Sequence, residues 1–261
     1  MPIISTFCKK GGVGKTTFLG YLAHYYATQG KTVLVISADD QNSIFKIFGC
    51  ENFVVDHDDD FFENLLVGEK QPNDVVFEVR DGMYLMKTLN TDRLSINLTL
   101  KRSEEKKLRG LIEDFTNYFD YIFIDFPPSS SRLTEILLDI SDNILLVVGL
   151  DALGIDGYKN TIQYFVDCDI EISKISHIIP MGYHPVKLAP NKCLKELKNL
   201  AKNYSPSAQI TTPIKDKAVI QNLQAEGVSV FDNHKMKDKF HQKNFDEIKK
   251  DLQEVYNSIV L

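Results

Sequence analysis

The stretch "IISTFCKKGGVGKTT" (residues 3–17) decides the fold. "IISTF" is short and mostly apolar, as a strand covered on both faces is. A glycine-rich turn follows, and a helical pattern then runs over 15–29. A Gly-rich loop between a strand and a helix is the setting of a phosphate-binding loop. Gly11, Gly12 and Gly14 let the backbone turn tightly and bring its N–H groups close to an anion. The helix beginning near Lys15 adds the positive end of its dipole. In this setting Lys15 falls on the β and γ phosphates of a nucleotide, the Thr16 hydroxyl on Mg²⁺, and Thr17 near the α phosphate, with Val13 inside the loop. The general pattern GxxxxGK[ST] is not met, because residue 9 is Lys. The pattern that is met is KGGxGKTT, headed by Lys10. Seven fixed positions match by chance in a chain of this length on the order of once in a million.

Outward from this loop, short apolar runs alternate with longer helical patterns. Strands are predicted at 3–7, 32–37, 83–87, 121–125, 143–148, 176–181 and 207–210. Helices are predicted at 15–29, 58–68, 103–117, 131–140, 157–167, 190–203, 217–225 and 243–259. Such alternation implies an α/β fold: a doubly wound, mostly parallel sheet flanked by helices, in a single domain over 1–261. Ligands of such sheets bind beyond the carboxyl ends of the strands. The loops after "IISTF", "TVLVIS" and "YIFID" are therefore expected on one edge.

Of the 261 residues, 43% are hydrophobic and 25% charged, enough apolar material for a core. No apolar run is long enough for a transmembrane helix, and no secretion signal opens the chain. Cys8, Cys50, Cys168 and Cys193 form no CxxC pair. That argues against a zinc site, an iron–sulfur site or a disulfide framework and fits a reducing cytoplasm. The net charge of −6 is unlike that of a dedicated nucleic-acid binder but leaves room for a local basic patch.

Asp125 ends the apolar run "YIFID". A carboxylate there is costly without a partner, and a hydrated Mg²⁺, held by Thr16 and reached directly or through water, is the partner expected; a helix cap or turn aspartate is the other reading. Pro127 and Pro128 shape the loop that follows. Asp39 ends the second strand within "SADDQNS", which also reads as a polar turn and helix cap.

"KKGGVGKTT" resembles the deviant Walker A motif of the ParA/MinD family of P-loop ATPases. "GKTVLVISADDQNS" resembles the family's VLxIDxDPQ stretch, and "FDYIFIDFPPS" its Walker B segment. "HIIPMGYHPVKL" and "TTPIKDKAVIQNLQAEGVSVFD" resemble, more weakly, the two segments that enclose the base. The pattern is closest to short ParA-type DNA partition ATPases with no N-terminal helix-turn-helix domain. The resemblance implies a Mg²⁺-dependent ATPase with Lys10, Lys15 and Asp39 as its catalytic residues. Asp39 would orient the attacking water, with Asp40 the alternative if the loop shifts by one residue. Ser37 stands where the family has a first Asp, and Asp40 where it has a Pro. The adenine contacts are expected at backbone groups around Pro213 and Ile214. The resemblance also implies an ATP-bound homodimer in which each Lys10 reaches the phosphates held by the other subunit, as an arginine finger does. It implies nonspecific DNA binding, association with the nucleoid in the ATP state, and a ParB-like centromere-binding partner. Lys9 reads as a solvated lysine.

Nonspecific DNA binding needs lysines facing phosphates. One candidate is the helix from Pro190, with Leu194, Leu197, Ala201 and Tyr204 on one face and Lys192, Lys195, Lys198 and Lys202 opposite. The other is "HKMKDKFHQK", with Lys235, Lys237, Lys239 and Lys243 placed just before the last helix. Acidic "DHDDD" (56–60) reads as a helix cap. The last helix carries Phe245, Ile248, Leu252, Val255 and Ile259 in one stripe, but its polar face is net acidic. It is expected to pack on the domain and not to bind a membrane. The alternatives are a MinD-like or cargo-positioning ATPase acting on protein or membrane, a metabolic P-loop enzyme, and a hydrolysis-deficient scaffold.

Overall fold

The computed structural model describes residues 2–55, 62–215, 218–236 and 238–259. β1 (Ile3–Phe7) leads through the glycine loop into α1 (Lys15–Thr28) and β2 (Val33–Ser37). Four short helices follow: α2 (Ser43–Ile47), α3 (Asn52–Val55), α4 (Phe62–Val67) and α5 (Pro72–Val75). Then come β3 (Val76–Arg80), β4 (Met83–Met86), α6 (Thr91–Leu100), α7 (Arg102–Phe115), β5 (Tyr121–Asp125) and α8 (Arg132–Asp139). β6 (Asn143–Gly149), α9 (Ala152–Asp167), β7 (Ile175–Tyr183) and α10 (Leu188–Tyr204) continue the alternation. The chain closes with β8 (Gln209–Ile210), β9 (Ile214–Lys215), α11 (Ala218–Ala225) and α12 (Lys239–Ser258).

The sheet order is β3-β4-β2-β5-β1-β6-β7-β8, with β9 paired to β7 off this path. Among the described residues only β3 on β4 is antiparallel. Successive residues of a strand face opposite sides, so a strand that is apolar throughout feeds two cores. In β2, Leu34 and Ile36 join a core with Ile112, Leu133 and Phe165. Val33 and Val35 join the other, with Leu22, Phe45 and Leu252. The fold is the expected doubly wound α/β domain.

Every expected strand is present, although 207–210 shortens to two residues. The sequence reading missed β3 and β9 and the helices α2, α3, α5 and α6. β3 is an edge strand with no buried residue and no clean alternation. α6 has only Leu94 and Leu98 buried, but its cap was legible: the Asn90 side chain accepts from the Arg93 N–H. Two helices begin earlier than expected because aspartates cap them. Asp151 accepts from the Gly154 N–H, so α9 starts at Ala152 and not at 157. Asp238 accepts from the N–H groups of Phe240 and His241, so Lys239 and Lys243 lie inside α12 and not before it. The stripe of α12 is buried as expected, and its Tyr256 ring sits 5.2 Å from Phe18 of α1. In α10, Leu197 and Ala201 are buried, but Tyr204 is 54% exposed. Ser205 takes the inner place at the helix end, its hydroxyl 2.7 Å from that of Tyr158. The "DHDDD" cap at 56–60 and Lys237 lie outside the described residues.

Candidate nucleotide site

Three adjacent strands deliver the site. β2, β5 and β1 lie side by side with their carboxyl ends on one edge, so Asp125 has Ser37 and Thr6 as its register neighbours. Beneath the edge Phe7, fully buried, meets Phe126 at 5.8 Å, Tyr164 at 5.7 Å and Phe165 at 6.0 Å. Such ring pairs contribute about 0.5–1.5 kcal/mol each beyond their buried area. They tie the end of β1, and so the start of the glycine loop, to β5 and α9.

The loop takes the shape its glycines allow. Gly12 and Gly14 have φ of 71° and 93°, left-handed values at which a side chain is strained. Gly14 is the N-cap of α1, and its carbonyl accepts the Phe18 N–H at 2.9 Å. A cavity of 540 Å³ opens there, lined by Gly11, Gly12, Gly14, Lys15, Thr16 and Thr17, with Asp39 and Pro128 at its other walls. The unsatisfied N–H groups of a helix N-terminus suit an anion in this place. A second cavity of 510 Å³ shares Gly11, Gly12, Gly14, Thr17 and Gln224 with the first. Lys10, Val13, Asp151 and Lys215 are among its walls.

Lys15 is only 6% exposed, and its ammonium donates to the Lys10 carbonyl at 3.2 Å. Burial pulls its pKa below the ordinary range, while Cys8, Asp125 and Asp39 pull it up. Asp125 is 1% exposed. Burial pushes its carboxyl up to about 7, against the Thr16 hydroxyl bond and the Lys15 charge, with Asp39 adding to the rise. Among the described residues Asp125 Oδ1 and Thr6 Oγ1 are buried without a hydrogen-bond partner. A carboxylate with a free oxygen, bonded to a hydroxyl beside a phosphate cradle, is the all-oxygen donor set that hydrated Mg²⁺ takes. The residues present fit that ion.

The two aspartates after β2 part company. Asp39 faces the phosphate cavity, and its carboxylate also accepts the Gln41 N–H at 3.0 Å. Asp40 is exposed and is not on the cavity wall. Its oxygens accept from Gln41 Nε2 at 3.1 Å and from the Thr91 hydroxyl at 3.2 Å. Ser37, in place of a first Asp, is buried, and its hydroxyl donates to the Asp39 carbonyl at 2.9 Å. It braces the turn that presents Asp39.

Two expectations shift. Lys9 is not a freely solvated lysine: its ammonium donates to Ser130 Oγ at 2.6 Å and lies 4.7 Å from the Tyr164 ring centre. The polar hydroxyl and the ring face compensate what water would give. Pro213 and Ile214 line neither cavity, and Ile214 is buried in the core as part of β9. The next residue, Lys215, lines the second cavity together with Ile220 and Gln221. The sequence reading also missed Gln224 of α11, whose amide donates to Thr17 Oγ1 at 2.6 Å across 207 residues. No local signal announces a contact of that span.

Both proposed lysine groups are exposed where described: Lys192, Lys195, Lys198 and Lys202 on α10, and Lys235, Lys239 and Lys243 near and on α12. On α12, Asp246 and Glu247 share the surface with Lys239, Lys243 and Lys250, so that field is mixed. On α10, Glu196 is paired with Lys159 at 3.0 Å, which leaves the lysines as the dominant charge of their face. Among the described residues no helix is long and apolar enough to cross a membrane, and no cluster of His, Cys, Asp and Glu could hold a metal by itself.

A family model described as an AAA domain (AAA_31) matches residues 1–174. An uncharacterised protein of Pseudomonas putida is 28% identical over 157 residues, 59% of each chain. The sporulation initiation inhibitor protein Soj of Bacillus subtilis is 30% identical over 163 residues, covering 62% of this chain and 63% of Soj. The chain thus spans about three fifths of the length of these curated relatives. Among solved structures, apo McdA of Cyanothece superposes with a TM-score of 0.79 at 18% identity over 99% of both chains. A putative plasmid partition protein of Borrelia burgdorferi bound to AMPPNP gives 0.75 at 18% identity, again over 99% of both.

Proposed function

This chain belongs to the AAA_31 family of AAA domains, as a P-loop ATPase of the ParA/MinD type, and from that premise we propose that it is an ATP-switched DNA partition ATPase. In this reading ATP joins two copies into a homodimer, the dimer holds nonspecific DNA, and hydrolysis releases it. The observation that carries the reading is the split of the two lysines of the loop. Lys15 faces the phosphate cavity, whereas Lys10 lines the neighbouring one and is absent from its walls. A loop lysine that does not line the cavity beside Lys15 and Thr16 is placed to meet the phosphates of a second subunit in this reading.

The residue roles follow. The N–H groups of the loop and Lys15 bind the phosphates; on binding, Lys15 leaves the Lys10 carbonyl. Asp39 holds the attacking water in line and accepts its proton. Lys10 of one subunit neutralises charge developing on the phosphates in the other. Thr16 and Asp125 hold Mg²⁺, which when bound offsets phosphate charge. Lys192, Lys195, Lys198 and Lys202 supply the DNA face, with Lys235, Lys239 and Lys243 a secondary one. A ParB-like protein with a short basic segment is the proposed stimulating partner, and the acidic balance of the chain suits such an encounter.

Filter binding of nonspecific duplex DNA tests this. Retention is expected with ATP and Mg²⁺ at low salt, falling steeply as salt rises. Equal retention with ADP, or none with ATP, overturns the DNA reading. Pelleting with liposomes in place of DNA would instead assign the switch to a membrane.

A further inference from the structure

Lys10 is held from one side by a helix that no motif points to. Gly157 of α9 lies directly against it. A Cβ built at Gly157 would stand 2.7 Å from Lys10 Cβ, 3.6 Å from Lys10 Cγ and 3.4 Å from Cys8 Sγ. The first of these atoms is fixed to the backbone, so it cannot swing aside as the end of a long side chain could. One turn further on the same face, Thr161 Oγ1 accepts the Lys9 N–H at 3.0 Å and donates to the Gly157 carbonyl at 2.7 Å. The next residue of that stripe, Tyr164, carries the Lys9 ammonium over its ring. α9 can come this close because Gly154 is also bare: a Cβ there would lie 2.1 Å from the Gly149 carbonyl oxygen at the end of β6. Gly157 and Thr161 are both buried.

We infer that the Gly157–Thr161 face of α9 is a seat that sets the direction of Lys10. The seat takes the stem of Lys10 on a bare stretch of helix and pins the backbone one residue before it. Lys9 is drawn toward Tyr164 and Ser130, and Lys10 is left to line the cavity shared with Asp151, Met181 and Lys215. Gly157 and Thr161 are positioning residues: they act through Lys10 and need touch no nucleotide. A methyl group at position 157 displaces the Lys10 stem while leaving Gly11 to Thr17 to form the phosphate cradle. This inference rests on the reading that Lys10 acts on the other subunit.

Gly157→Ala tests it, because alanine is a better helix former than glycine and α9 itself is not weakened. The expected result is monomer affinity for ATP within about threefold of the unaltered protein, measured by calorimetry, with ATP-dependent dimerisation and turnover each reduced about tenfold or more. Mixing supplies the reading that a merely structural defect would not give. Gly157→Ala and Asp39→Ala proteins are each expected to be impaired, but in a mixed dimer the Asp39→Ala subunit offers a well-seated Lys10 to the intact Asp39 of its partner. Turnover of the mixture is therefore expected to exceed the sum of the two alone. No recovery on mixing, or dimerisation and turnover by Gly157→Ala within threefold of normal, overturns the seat. Should Gly157→Ala not fold, Thr161→Val decides by the same readings, since it keeps the volume and removes the bond to the Lys9 N–H. Lys10→Ala is measured in parallel. If it dimerises and turns over normally, the second-subunit role of Lys10 fails and the seat with it. If it loses both activities while Gly157→Ala keeps them, the seat alone fails.

Discussion

The part of the molecule before β7 and the part from β7 onward are built to different tolerances. In the first, β1, β2, β5 and β6 form the interior of the sheet, and nearly every residue in them is buried. They hold the glycine loop, Asp39 and Asp125 on one edge, where a slip of one residue would turn every side chain to the other face. In the second, β8 and β9 have two residues each, and α10 presents a row of lysines to water. The difference teaches where chemistry and readout reside. Phosphoryl transfer needs atoms held to a fraction of an ångström, which the paired interior strands of this edge can supply. Attraction to a polyanion needs only the right charges on a surface, so an exposed helix face can supply it.

The largest effect that could break this contrast is at Asp39. Asp39→Ala is expected to lower ATP turnover by roughly 100-fold or more while ATP still binds and the dimer still forms. Asp40→Ala is expected to stay within about threefold, because its carboxylate is held by Gln41 and Thr91 outside the phosphate cavity. Steady-state phosphate release from the two variants decides between them, and the reverse outcome would move the water-orienting role to Asp40. If the unaltered protein shows no turnover above Asp39→Ala, even with DNA and its partner protein, hydrolysis is not its function and it is a nucleotide-dependent scaffold.

A smaller effect is expected on the other side of the contrast. Changing Lys192, Lys195, Lys198 and Lys202 together to alanine should weaken ATP-dependent DNA retention at low salt about tenfold or more. The log–log dependence on salt should flatten by roughly one for each lysine that met a phosphate. The same retention assay run over a salt series measures both. An unchanged slope would shift the DNA face to Lys235, Lys239 and Lys243.

A last effect, on stability and not on turnover or retention, concerns the seam between the two parts. His24 of α1 is 5% exposed, its Nδ1 2.7 Å from Ser229 Oγ, while Asp232 receives Arg80 of β3 in a paired contact at 2.7 and 3.0 Å. The 3.9 Å from His24 Nε2 to Asp232 is too long for a hydrogen bond, and the ring is neutral at pH 7. Burial holds its pKa down to about 4 from 6.5, with Asp232 pulling it up and Arg80 and Lys249 pushing it further down. Between those values the unfolded chain takes up a proton that the folded chain refuses. The stability contributed is complete above about 6.5 and is lost as pH falls toward 4, amounting to roughly 3 kcal/mol. Thermal unfolding of the nucleotide-free protein from pH 7 to pH 4 should therefore fall less steeply in His24→Gln. Equal slopes would show that the seam does not sense pH through His24.

How much was legible follows the same divide. The glycine loop, the apolar strands and the carboxylate ending "YIFID" are read from neighbours in sequence, because strand period, left-handed glycines and helix dipoles act over a few residues. The register that sets Thr6 and Ser37 on either side of Asp125 was readable only as a shared edge. β3 escaped because an edge strand needs no continuous apolar run. Pro213 and Ile214 line neither cavity while Lys215 beside them lines the second, a facing that a two-residue strand gives no pattern to foretell.

The sequence by itself determined the fold class and the phosphate loop with Lys15, and pointed to Asp125; the roles expected of Lys10 and Asp39 came from the family resemblance its motifs carry. Only the tertiary structure decided that Asp39 and not Asp40 faces the cavity, that Lys9 is bound to Ser130 and Tyr164, and that Lys10 rests on the bare backbone of α9. The reason is physical. A residue's chemistry and its local backbone shape are written in its own stretch of chain, whereas the direction of a long side chain is set by whatever packs against it. For Lys10 that neighbour is Gly157, almost 150 residues later, and it acts through the side chain it does not have.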